Sequence, residues 1–74
     1  MNIVEVLEKK LTSANEELET RKNYFLLMVN NEINTSNFEK NAINELLVMM
    51  ECKNRIKTIE ADLMTARIYS ENDK

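Results

Sequence analysis

The side chains of this 74-residue chain that could take part in catalysis or ligand binding are one thiol, several carboxylates and one basic cluster. A papain-like site would need a histidine beside Cys52 as its general base, and the sequence contains no histidine. Cys52 also falls in a row of apolar residues with helical spacing, where a thiol behaves as a small hydrophobic side chain. We therefore expect Cys52 to be a core residue and not a nucleophile.

The carboxylates gather at Glu16, Glu17 and Glu19 and again at Glu60 and Asp62. Such groups can bind a cation or act as acid and base, but here they fall mainly on outer helix faces. Zinc sites and the di-iron sites of helical bundles rely on histidine. We expect solvated carboxylates, with no catalytic residue, metal or cofactor and hence no enzyme. Carboxylate-and-metal chemistry is the one enzymatic alternative.

A basic cluster is formed by Lys53, Arg55 and Lys57. It is suited to an acidic partner or a phosphate, or it is a solvated flank that offsets Glu51 and Glu60. Ten basic residues stand against thirteen acidic ones, giving a net charge of −3. A protein that reads a nucleic-acid backbone would carry a basic surface, so we expect no nucleic-acid partner.

Glycine and proline are both absent from the composition. Tight β-turns and phosphate-binding loops depend on these residues, so the remaining fold class is all-α. No apolar run approaches the ~20 residues that span a bilayer, and we expect no membrane insertion. Residues 1–11 mix charged side chains into their apolar ones, unlike a signal peptide. With a lone cysteine, these features predict a cytoplasmic protein.

Two helices are predicted from apolar positions that recur at alternating steps of three and four residues. The first row, interrupted by Arg21, is Val4, Leu7, Leu11, Ala14, Leu18, Phe25 and Met28. The second row, interrupted by Glu45, is Phe38, Ala42, Met49, Cys52, Ile56, Ile59, Leu63 and Ala66. The predicted boundaries are a helix over 2–31, a turn over 32–36, a helix over 37–69 and a fraying polar tail over 70–74.

The turn is predicted from a cluster of asparagine and serine, in which Ser36 and Glu39 have the spacing of a capping box. Laying the two rows antiparallel pairs Leu11 with Ile56 and centres the turn between Ile33 and Asn34. The chain is thus predicted to be one domain, an antiparallel two-helix hairpin with coiled-coil-like packing. Because so small a domain buries little apolar surface, we expect it to be completed by a partner or by self-association.

A second apolar row on the second helix is not used by the hairpin. Apolar side chains beyond those needed to pack the two helices together are typical of an interaction site. The predicted partner-binding residues are Leu27, Ile43, Leu47, Met50, Met64 and Ile68.

Three features of the layout carry a family resemblance: the segment Val6-Leu7-Glu8-Lys9-Lys10-Leu11, the polar turn at mid-chain, and Phe38-Glu39-Lys40-Asn41 opening a long helix. This layout resembles the YscE-like co-chaperones of type III secretion needle subunits. The resemblance implies a cytoplasmic hairpin that binds a tetratricopeptide-like chaperone. That pair would keep a needle subunit soluble and unpolymerised before export, a virulence function. The alternative is a homodimeric four-helix bundle, an adaptor or regulator of plasmid or phage type.

Overall fold

The computed structural model describes residues 2–72, and over that range it has two α-helices. The first, α1, spans Ile3–Glu32 and the second, α2, spans Phe38–Asn72. The helices pack against each other along a rod of 59 × 15 × 13 Å. The predicted all-α helical hairpin is confirmed.

The start of α1 is fixed by Asn2. Its side-chain oxygen accepts a hydrogen bond from the Glu5 amide at 2.8 Å, which satisfies one of the amides that a helix N-terminus leaves without a partner. Both ends of α1 lie within one residue of the predicted bounds. The terminal residue Met1 lies outside the described part of the chain.

The turn is built around Thr35, whereas the sequence pointed to Ser36. The Thr35 amide and hydroxyl both donate to the Glu32 carbonyl, at 2.9 and 2.8 Å. Among the hydrogen bonds of the described turn residues, none joins Ser36 to Glu39, so the predicted capping box is wrong. Because Thr35 binds the end of α1, the connection runs over 33–37 and α2 begins one residue late, at Phe38.

The far end of α2 continues past its predicted limit at residue 69. Residues 70–72 are helical, although they belong to the stretch predicted to fray. They contain no glycine or proline, the residues that usually terminate a helix. The rest of the predicted tail, residues 73–74, lies outside the described residues.

The core is a narrow seam between the two helices. Every buried side chain among residues 2–70 belongs to one of the two predicted apolar rows, and Cys52, with 2% of its surface exposed, is the most enclosed. The lone thiol is therefore a packed core residue in this hairpin. The buried side chains are Leu7, Ala14, Met28, Cys52, Ile59 and Leu63.

Truncation of the seam should be costly because so few side chains form it. We expect Leu63→Ala, at a side chain only 4% exposed, to lower the free energy of unfolding by about 2–5 kcal/mol. Leu27→Ala is the matched control, since Leu27 is 60% exposed and its truncation should cost less than about 0.5 kcal/mol. Thermal unfolding followed by circular dichroism at one protein concentration measures both. An equal loss of unfolding free energy from the two substitutions would contradict the burial of Leu63 between the helices.

Candidate protein-binding face

The side of α2 that points away from α1 carries a continuous row of exposed residues, here called the outer face of α2. Its five large apolar side chains are more than half exposed, from 53% for Leu47 to 66% for Met64. Asn54 and Lys57, also exposed, lie at its middle. In order, the outer face consists of Ile43, Leu47, Met50, Asn54, Lys57, Ala61, Met64 and Ile68.

The outer face arises from a second helical repeat in the same segment. Its positions alternate in steps of four and three residues, as do those of the seam, and the two rows lie on opposite sides of α2. Leu63 is buried in the seam while the next residue, Met64, is exposed on the outer face. A helix that is apolar on two sides is normally covered on both; in this hairpin α1 covers one.

Five of the six predicted partner-binding residues lie together on the outer face of α2. The sixth, Leu27, lies on α1, beside a groove lined only by α1 residues that include Tyr24 and Asn31. Tyr24, Leu26 and Ile33 are also exposed near the turn. The structure therefore does not bring Leu27 into the row formed by the other five.

Within the described part of the chain, three ion pairs join α1 to α2, and one of them involves Arg55 of the basic cluster. Arg55 is engaged by α1, whereas Lys53 and Lys57 are exposed and are absent from the ion pairs of the described residues. Two of the pairs bridge opposite edges of the seam and the third lies within it. They join Glu8 to Arg67 at 3.7 Å, Glu17 to Arg55 at 2.7 Å and Arg21 to Glu45 at 4.0 Å.

The pair within the seam joins the two residues that interrupt the apolar rows. The Glu45 side chain is 18% exposed, and its Oε2 atom is buried without a hydrogen bond, 4.0 Å from a guanidinium nitrogen of Arg21. Sliding α2 along α1 would leave this carboxylate against apolar side chains, which is costly without a partner. The pair therefore favours the observed antiparallel register, in which the connection is centred on Thr35 and not at the predicted position between Ile33 and Asn34.

The surface offers little that could assemble a catalytic site. The groove at the open end of the hairpin has a volume of about 560 Å³ and is lined mainly by Ile3, Leu7 and Tyr69, with Asp62 as its carboxylate. The other polar groups that line this groove are the hydroxyls of Thr65, Tyr69 and Ser70. Among the described residues, no three thiol or carboxylate groups gather where they could hold a metal ion.

Comparison with known proteins adds no assignment: no family model, curated protein or solved structure matches this chain. Neither helix contains, within its described residues, an apolar stretch long enough to cross a membrane. The outer face of α2 is therefore interpreted from its own residues.

The seam ion pair generates a stability prediction. We expect Arg21→Leu alone to lower the unfolding midpoint, because it leaves the Glu45 carboxylate without its cation, and the double substitution Arg21→Leu with Glu45→Leu to raise it. Arg21 is 43% exposed, so solvent screening should limit either change in the free energy of unfolding to about 1 kcal/mol. Circular dichroism melts measure both variants.

The control for this prediction is Lys22→Leu, which removes the exposed pair between Lys22 and Glu19 on α1. Exposed pairs contribute little to stability, so its midpoint should stay close to that of the wild type. If the midpoint of Arg21→Leu is as close to that of the wild type as the midpoint of Lys22→Leu, the seam pair does not contribute to stability.

Proposed function

We propose that this chain is a protein-binding module that packs a helical partner against the outer face of α2. The observation that carries the proposal is the row of five large apolar side chains, each more than half exposed, along one side of α2. Contiguous apolar surface of this kind marks interaction sites in soluble proteins. Its methionines suit a packing surface because a thioether side chain adapts to its neighbours. The proposal assigns the chain no catalytic role.

The total exposed surface supports a binding role. The chain exposes 5904 Å² at a mass of 8.7 kDa, whereas a compact monomer of that mass would expose about 4,700 Å². The excess of about 1,200 Å² exceeds the roughly 800 Å² that each partner buries in an interface of standard size. Covering one side of the rod would bring the exposed area near that of a compact protein.

The stability of the hairpin also favours a binding role. Full burial of a Leu, Ile or Met side chain contributes about 1.5–3 kcal/mol relative to full exposure, and those of the outer face are still about half exposed. A partner that binds only the folded hairpin also stabilises it by mass action. Binding would thus add to the contribution of the seam, which has few buried residues.

The resemblance to the YscE-like co-chaperones gives this proposal one concrete form. In that form the partner is a tetratricopeptide-like chaperone in the cytoplasm, and the pair holds a type III secretion needle subunit before export. Tetratricopeptide repeats stack into superhelices with extended concave binding surfaces, and an amphipathic helix can lie in such a groove. The second form is a homodimeric adaptor or regulator, which the residue pattern of the outer face favours.

A carboxylate in the middle of the apolar row should abolish binding. We expect Leu47→Asp or Met50→Asp to lose the partner, because binding would bury an unpaired charge. Asn23→Asp is the matched control: it adds the same carboxylate at an exposed position of α1. The tagged chain is expressed in its native host with an untagged copy, and co-purified proteins are identified by mass spectrometry.

The proposal predicts that the wild type and Asn23→Asp retain the same co-purified protein and that both outer-face variants lose it. Circular dichroism of each variant shows whether the hairpin is intact. Unchanged co-purification with folded Leu47→Asp and Met50→Asp would rule out the outer face as the binding site.

A further inference from the structure

We infer that the partner on the outer face of α2 is a second copy of this chain, laid antiparallel so that the two α2 helices form a coiled-coil seam at the centre of a four-helix dimer. The inference rests on the proposed function and names the occupant of the same face. Its basis is the order of residues along the face and the charges on its flank.

The outer face is complementary to itself when its direction is reversed. Its steps of four and three residues read the same from either end, so an antiparallel copy can bring every position against another position of the row. This register places apolar side chains on apolar side chains along both halves. Ile43 meets Ile68 of the second copy, Leu47 meets its Met64, and Met50 meets its Ala61.

The same register pairs the two polar interruptions. Asn54 of one copy faces Lys57 of the other, so the Lys57 ammonium can donate a hydrogen bond to the Asn54 side-chain oxygen. This match occurs twice, once on each side of the two-fold axis. A parallel pairing in register would instead place Lys57 against Lys57, and like charges at such positions are destabilising. The polar residues therefore favour the antiparallel arrangement.

The flank of the row adds charge complementarity. Lys53 precedes Asn54 by one residue and Glu60 precedes Ala61 by one residue, so both lie on the same edge of the outer face. In the antiparallel register the edge positions of the two copies face each other across the seam. Lys53 of each copy then lies opposite Glu60 of the other, and both residues are exposed in the hairpin.

An unrelated helix would complement this face without requiring it to be symmetric. A two-fold interface requires a surface that is complementary to itself. The outer face meets this requirement, since its row reads the same from both ends, its amide and ammonium are at matching positions, and its edge carries opposite charges.

The test is a charge exchange on the exposed edge, which leaves the seam of the hairpin unchanged. We expect the wild type to sediment as a dimer at micromolar concentration. Lys53→Glu alone and Glu60→Lys alone should each raise the dimer dissociation constant by about tenfold or more, because each places two like-charge pairs in the dimer. An equimolar mixture of the two variants should regain dimerisation, since every pair across the seam again has opposite charges.

Sedimentation equilibrium of each sample, with circular dichroism to show that the hairpin is folded, separates the outcomes. Dimerisation that is lost in each variant and regained in their mixture supports the antiparallel dimer, because a parallel pairing does not bring Lys53 and Glu60 together. A wild type that remains monomeric overturns the inference. If Leu47→Asp still abolishes capture of a different protein, the proposed function survives that result. A wild-type dimer that is unaffected by Leu47→Asp also overturns the inference, because its interface then lies elsewhere, and the co-purification experiment decides the proposed function.

Discussion

The structure depends on one geometric constraint: two helices can bury only the side of each that faces the other. The seam between α1 and α2 therefore has few enclosed residues, with Cys52 the most enclosed. Apolar side chains on any other side of a helix remain in water unless a further element covers them. The exposed row of α2 and the surface in excess of a compact monomer are two consequences of the same constraint.

The two helices followed from the sequence because the signals were long and uninterrupted by glycine or proline. Their ends and the centre of the turn did not, because local hydrogen bonding decides them. Ser36 and Thr35 are both suited to a turn, and spacing alone favoured Ser36, whereas the hydroxyl that reaches the Glu32 carbonyl belongs to Thr35. At the far end, polar composition suggested fraying, but without a residue that terminates a helix α2 extends to Asn72.

The candidate face was largely predictable, since a row with a coiled-coil repeat defines one side of a helix. The direction of Leu27 was not predictable, because its segment of α1 is apolar nearly all round and such a segment gives no periodic signal of direction. Tertiary pairing was harder to predict. The cation that Glu17 binds is Arg55 of the other helix, and a charge pattern along one helix does not contain that information.

The interruptions of the two rows carry the specificity that the apolar residues lack. A purely apolar row can slide by a heptad along a similar partner at little cost, because each layer resembles the next. Arg21 and Glu45 remove that freedom within the hairpin, since each interrupts its row where the other does. Asn54 and Lys57 interrupt the outer face in the same manner. On the proposed arrangement, the chain specifies both of its seams by placing complementary polar residues at matching points of apolar rows.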